Sequence, residues 1–149
     1  MKPENRNTLK KSVEALTTLG FKPENIMVTG SIALDIVGVL PPNRWTHDID
    51  FIIKMDDKSW HCMKLLEAIE KADMDKDSKY PDDKNMVFLK IKGINTNIWR
   101  HTPNFDWSTI KDTETGVMVA TVSHIIQAKK SYGRPKDYED LAAICKNIL

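Results

Sequence analysis

The sequence predicts an α+β domain, α/β-like in the order of its elements, with helices packed on a small mixed β-sheet. Apolar residues occur at helical spacing and in short β-branched runs, in the order α, β, α, β, α, then strands, then two helices. The 149 residues are 41% hydrophobic and 29% charged, which is typical of a folded soluble protein and excludes disordered, collagenous and membrane-spanning classes. No repeat or linker divides the chain, so residues 1–149 are predicted to form one domain.

Glycine, proline and apolar spacing predict the elements of the first half. Gly20 ends a first helix, Gly38 closes a short second helix, and consecutive prolines force a loop. The predicted elements are, in order, a helix over 6–19, a strand over 26–29, a helix over 31–37, a loop at Pro41-Pro42-Asn43, and a strand over 48–54.

Apolar stripes predict the helices of the second half. The predicted elements are a helix over 58–72, a loop over 73–84, strands over 86–92, 94–99 and 117–122, and helices over 124–132 and 135–148. The stripe expected to face the core is Cys62, Leu65, Leu66 and Ile69 in the third helix, and Tyr138, Leu141, Ala142 and Cys145 in the last. Both cysteines are therefore predicted to be buried reduced thiols, and an Asp56 or Asp57 cap is predicted for the third helix.

Charge and the N-terminal residues bear on partners and location. With 22 Lys and Arg against 21 Asp and Glu, the net charge is +1, so any charged partner must be held by local groups. The first residues contain no apolar secretory region, and the most apolar window, 31–40, is too short to span a membrane. We expect a cytoplasmic protein without a membrane partner.

The pair Gly30-Ser31 follows a predicted strand and opens a predicted helix. Glycine permits close approach of a ligand to the backbone, and the first amides of a helix favour phosphate. The alternative is an ordinary capped turn.

Asp48 and Asp50 lie two residues apart in a predicted strand, so both carboxylates face the same side. Two such charges repel unless a cation lies between them, and paired carboxylates suit Mg²⁺ or Mn²⁺. The alternatives are a strand with a solvated polar face and a chance Asp-x-Asp in an unrelated sheet protein. The nearby Gly30-Ser31 turn favours the metal site.

These segments resemble the nucleotidyltransferase superfamily of DNA polymerase β, particularly the small bacterial minimal nucleotidyltransferases and abortive-infection nucleotidyltransferase-like proteins. The residues that carry the resemblance are Gly30-Ser31, Arg44-Trp45-Thr46, Asp48-Ile49-Asp50, Lys129, Arg134-Pro135-Lys136-Asp137 and Asp140.

The resemblance implies a nucleotidyltransferase fold, a bound nucleoside triphosphate, and transfer of a nucleoside monophosphate to a hydroxyl of a protein or RNA acceptor. Asp48 and Asp50 would be catalytic and would hold Mg²⁺ or Mn²⁺. The expected nucleotide and phosphate contacts are Gly30, Ser31, Arg44, Thr46, Lys129, Arg134 and Lys136. For Lys129, Arg134 and Lys136 the alternative is a structural role, with Arg134 and Lys136 pairing with Asp137, Glu139 or Asp140 at the start of the last helix.

The family's third carboxylate is missing from this chain. Asn97 stands at the expected catalytic position, with Asn95 as the alternative register. An amide cannot serve as a base and binds metal more weakly than a carboxylate. The alternative function is therefore an inactive binding module, either an antitoxin-like partner of a toxin or a phage-derived partner protein.

A few further side chains could contact a nucleotide. His47 is either a neighbour of the metal site or a surface residue, and Trp99-Arg100-His101 either stacks on a base or ends a strand. Trp45 and Tyr132 could flank the base.

Overall fold

A computed structural model of the chain describes residues 1–41, 44, 46–73 and 84–148. It confirms the predicted α+β class: five helices and a five-stranded mixed sheet. The elements are α1 (Pro3–Thr18), a 3₁₀ turn (Pro23–Asn25), β1 (Ile26–Thr29), α2 (Gly30–Ile36), β2 (Asp48–Ile53), α3 (Asp57–Ala72), β3 (Met86–Ile91), β4 (Ile94–Arg100), β5 (Met118–Val119), α4 (Val122–Tyr132) and α5 (Pro135–Ile148). Most of the two predicted loops, at 42–43 and 74–83, lies outside the described residues.

The sheet has the strand order β3-β4-β2-β1-β5. β2 pairs antiparallel with β1 and parallel with β4, while β1 pairs parallel with β5 and β3 pairs antiparallel with β4. In this register Asp50 lies opposite Thr29 on one side and opposite Asn97 on the other. Three segments that are distant in the sequence are thereby brought to one end of the sheet.

The two faces of β2 have opposite chemistry because successive side chains of a strand alternate. Ile49, Phe51 and Ile53 are buried among the core residues, whereas Asp48 and Asp50 point to the other face. The core also contains the apolar stripe of α1, which contacts α2 and β4. The predicted split of this strand into core and polar faces is confirmed.

Helix α3 is anchored by polar side chains along the edge of β3. Lys64 Nζ donates to the carbonyl oxygen of Met86 (2.7 Å), and the carboxylates of Glu67 and Glu70 accept from the backbone amides of Phe88 and Lys90. Because these polar residues face the sheet, the predicted apolar stripe of α3 faces outward, and Leu65, Leu66 and Ile69 are exposed. The prediction that this stripe packs into the core was wrong.

The last helix likewise turns a different face inward. The buried side chains of α5 are Asp137, Asp140 and Ile144, whereas Tyr138 and Cys145 are exposed. The two carboxylates are drawn inward by Lys129 of α4, which lies within ion-pair distance of both. Cys62 is exposed as well, so the prediction of two buried thiols was wrong.

The helix ends follow local hydrogen-bonding rules. Asp56 caps α3 by accepting from the amide of Ser59, as predicted, whereas α4 is capped by Thr121 and begins before the predicted residue. Gly133 ends α4 in the left-handed conformation (φ 62°). Within the described residues no helix has the length and apolarity needed to cross a membrane.

Candidate functional site

A cleft of about 760 Å³ lies over the polar face of β2 and β4 and is bounded by α4 and the start of α5. It brings together predicted site residues from five separate segments of the sequence. Those that line it are Gly30, Ser31, Arg44, Asp48, Asp50, Asn97, Lys129, Arg134 and Lys136.

Gly30 lies directly against the carboxylate of Asp50. Its backbone has φ +68°, and a Cβ placed on it would lie 2.2 Å from Asp50 Oδ2. Any larger residue would therefore strain the turn and collide with the carboxylate. The Gly30-Ser31 turn and the aspartate pair form one continuous surface.

The side-chain amide of Asn97 bridges the two aspartates. Its Nδ2 donates to Asp50 Oδ1 (2.8 Å) and to Asp48 Oδ2 (3.1 Å). The partial positive charge of the amide lies between two carboxylates, so it offsets part of their repulsion. The parallel pairing of β2 with β4 produces this contact because it sets Asn97 directly opposite Asp50.

Asp50 lies at the base of the cleft, and its negative charge is only partly compensated. Its pKa is raised to about 6, chiefly by burial and then by the neighbouring Asp48. The hydrogen bond from Asn97 and the nearby charges of Lys129 and Lys136 act in the opposite direction but only partly offset these effects.

This arrangement fits a divalent cation. The Asp48 and Asp50 oxygens that accept from Asn97 converge on its Nδ2, so a cation beside both carboxylates would use their remaining oxygens or replace that amide contact. The raised pKa of Asp50 indicates that positive charge there would be stabilising. Mg²⁺ commonly uses one or two carboxylates and completes its shell with water and phosphate oxygens. The described residues contain no cluster of three or more His, Cys, Asp or Glu side chains around one position, so a ligand would have to supply the other donors.

Basic residues line the opposite wall of the cleft, and most of them are paired with acids. Lys129 Nζ lies 2.7 Å from Asp140 and 3.7 Å from Asp137, and all three side chains are buried. Arg134 forms two hydrogen bonds to Asp137, at 2.7 and 3.1 Å. The Arg134–Asp137 hydrogen bonds correspond to the structural alternative for Arg134. The ion pairs with Asp137 and Asp140 hold Lys129 in place.

Arg44 and Lys136 complete the basic wall. The guanidinium of Arg44 lies 2.8 Å from Asp140 and also bonds Glu139 and the backbone oxygen of Lys136. The side chain of Lys136 forms no ion pair with any described residue, in contrast to the predicted alternative, and it lines the cleft.

Several predicted contacts lie outside the cleft. Thr46 donates to Asn5 of α1, which in turn donates to the buried Asp35, so Thr46 ties its loop to α1. His47 is exposed and does not line the cleft. Arg100 lines the cleft, but its guanidinium bonds Met55 and Asp57. His101 instead packs against the rings of Phe105 and Trp107, and Trp45 lies outside the described residues.

Of the residues flagged as base contacts, Trp99 and Tyr132 do line the cleft. Other members of its apolar wall were missed by the sequence analysis, namely Ile52, Trp60, Phe88, Phe105 and Ile125. A signal for part of this wall exists in the strand alternation, since residues two positions after Asp50 and Asn97 must share their face. The cleft therefore has a charged end and an apolar end.

No protein-family model matches the chain, and no curated protein matches it significantly.

Proposed function

We propose that the protein is a cytoplasmic member of the nucleotidyltransferase superfamily that binds a nucleoside triphosphate with Mg²⁺ and transfers the nucleoside monophosphate to a hydroxyl acceptor. The observation that carries the proposal is the contact between Gly30 and the carboxylate of Asp50 at the charged end of the cleft. A close-approach turn and a cation-binding pair are the two parts that a metal-bound polyphosphate requires.

Each group of residues has a role in this proposal. The turn at Gly30 and Ser31 admits the phosphate chain, and Asp48 and Asp50 hold the metal. When bound, Mg²⁺ would neutralise phosphate charge and stabilise the attacking and leaving oxygens. Lys136 supplies a side-chain cation that forms no ion pair with any described carboxylate.

Charge balance in the cleft predicts that nucleotide binding depends on the metal. Arg44, Lys129 and Arg134 are all paired with carboxylates, so they offer little net attraction to a triphosphate. Asp48 and Asp50 repel phosphate unless a cation lies between the carboxylates and the phosphate oxygens. We therefore expect weak binding in EDTA and binding at least about tenfold tighter with Mg²⁺, which corresponds to about 1.4 kcal/mol.

Isothermal titration tests this proposal. ATP, GTP, CTP and UTP are titrated into the wild-type protein with MgCl₂ or EDTA, and into the double variant Asp48→Asn/Asp50→Asn. Asp106→Asn, which changes an exposed carboxylate away from the cleft, is the matched control. The proposal requires Mg²⁺-dependent binding in the wild type and the control but not in the double variant. Equal binding by all three proteins, or binding by none, refutes it.

Asn97 favours a second candidate, an inactive nucleotidyltransferase-fold module that binds a partner such as a toxin. Its amide lies between the aspartates, and no third carboxylate stands beside them among the described residues. The nucleotide site would then remain while the transfer step is lost.

Pyrophosphate release separates the two candidates. Release by the wild type that requires Asp50 supports the enzyme. The inactive module is supported if the wild type releases no pyrophosphate, Asn97→Asp gains release and Asn95→Asp does not. Asn95→Asp is the matched control because residue 95 lies on the same face of β4 but opposite Asp48 instead of Asp50. A stable partner that copurifies without receiving labelled nucleotide would also favour the module.

A further inference from the structure

An apolar stripe on α3 faces solvent. It consists of Cys62, Leu65, Leu66 and Ile69, and the last three are 50%, 41% and 63% exposed. Residues spaced by three and four positions form one continuous face of a helix. Four apolar side chains on one such face indicate a surface that another helix can cover.

The outward orientation of this stripe is fixed by the other side of the helix. Lys64, Glu67 and Glu70 bind backbone groups of β3, and Met63 is buried. Rotating α3 to bury the stripe would break all three contacts and leave amide groups of the sheet edge without acceptors. Within the part of the chain that the structure describes, the stripe therefore stays open to a partner.

The order of residues along α3 makes this face complementary to itself. In an antiparallel pair of α3 helices centred between Leu65 and Leu66, Leu65 lies opposite the partner's Leu66, and Cys62 lies opposite the partner's Ile69. The same register sets the exposed Lys58 opposite the partner's Asp73, which is also exposed. A parallel pair would instead set lysine against lysine and aspartate against aspartate.

We propose that a second copy of this chain docks on the α3 stripe, forming an antiparallel two-helix interface flanked by two symmetric pairs of Lys58 with the partner's Asp73. The stripe covers only about two turns, so the interface is smaller than the roughly 800 Å² per partner of a stable dimer. Self-association in the range of about 100 µM is expected.

Sedimentation equilibrium of the full chain from 10 to 500 µM, in reducing buffer, tests the proposal. The wild type is expected to rise from 17.1 kDa towards twice that mass with increasing concentration. Leu65→Glu should remain monomeric, and the exposed Leu19, which lies outside α3, gives Leu19→Glu as the matched control that still associates. Circular dichroism verifies that each variant is folded.

Charge reversal tests the register. Lys58→Glu alone should raise the dissociation constant about fivefold or more, and the double variant Lys58→Glu/Asp73→Lys should restore it. A wild type that stays monomeric up to 500 µM overturns the proposal, as does a dimer that survives Leu65→Glu. Failure of the double variant to restore association overturns the antiparallel register.

Discussion

Replacing Asp50 with asparagine should stabilise the metal-free protein at neutral and alkaline pH. The pKa of this carboxyl is raised from 3.8 to about 6 by burial and by Asp48. A rise of 1 in a pKa corresponds to about 1.36 kcal/mol, so ionised Asp50 lowers the free energy of unfolding by about 3 kcal/mol. Asparagine has nearly the same shape and cannot ionise, and it can still accept the hydrogen bond from Asn97.

The sign of the effect fixes its pH window. Below about pH 4 Asp50 is protonated in both folded and unfolded chains, so its raised pKa has no effect. Between pH 4 and 6 the unfolded chain releases the proton first, and the stability contributed by this group falls as the pH rises. Above about pH 7 the loss is complete. Asp50→Asn should therefore gain about 2–3 kcal/mol over the wild type at pH 8 and little at pH 4.

Urea unfolding in EDTA, followed by tryptophan fluorescence at pH values from 4 to 8, measures the difference. Asp48→Asn serves as the comparison, because it removes only the smaller of the two causes and should give a smaller gain. Mg²⁺ should stabilise the wild type at pH 8 but not Asp50→Asn. The reasoning is refuted if the difference between Asp50→Asn and the wild type is the same at pH 4 and pH 8, or if the variant is the less stable protein at pH 8.

Two further pairs of variants test the geometry of the cleft. Gly30→Ala should cost more than the roughly 1–2 kcal/mol of left-handed strain, because its Cβ would meet the Asp50 carboxylate, and it should abolish Mg²⁺-dependent nucleotide binding. Gly38→Ala has a similar φ of +80° but open space around the added Cβ, so it should lose only the stability that left-handed strain costs and should keep nucleotide binding. If the two variants lose equal stability in thermal unfolding and equal affinity in titration, this explanation is contradicted. Lys129→Met should cost about 3 kcal/mol in urea unfolding, near the lower end for a broken buried pair because both carboxylate partners keep their arginines. The exposed Lys130→Met should change stability by less than about 0.5 kcal/mol, and a similar cost for both lysine variants would show that the buried pairing is unimportant.

Local patterns of the sequence were sufficient to predict most elements. The alternation in Asp48–Ile53 identified both a core face and a polar face, and Gly20, Gly38 and Gly133 marked helix ends correctly. These features depend on backbone geometry and on neighbours within a few residues, which is the information that a single sequence contains.

The orientation of α3 and α5 could not be predicted in the same way. Apolar spacing correctly indicated helices but selected the wrong inward face in both, because the inward faces include polar groups whose partners lie on other elements of the fold. Glu67 binds an amide of β3, and Asp140 binds Lys129 of α4. A carboxylate is favoured inside only when such a partner is present, and the partner is a product of the tertiary fold.

The candidate site was predictable in part for a related reason. Gly30, Asp48 and Asp50 were identified from chemistry and spacing, but their convergence depends on the antiparallel pairing of β1 with β2. The position of Asn97 depends on strand order, which places β4 beside β2 although β3 precedes it in the chain. The register of the β2–β4 pairing makes Asn97 rather than Asn95 the neighbour of Asp50.

The way α3 meets β3 affects how the sheet ends. An edge strand normally presents free amides and carbonyls that another chain can extend into a larger sheet. Here a lysine and two glutamates of α3 form hydrogen bonds with those backbone groups at Met86, Phe88 and Lys90. These side chains replace the hydrogen bonds that a neighbouring strand would make. We therefore expect substitutions at Lys64, Glu67 or Glu70 to uncover a template for intermolecular β-pairing, although a hydropathy profile treats these three polar residues as ordinary surface.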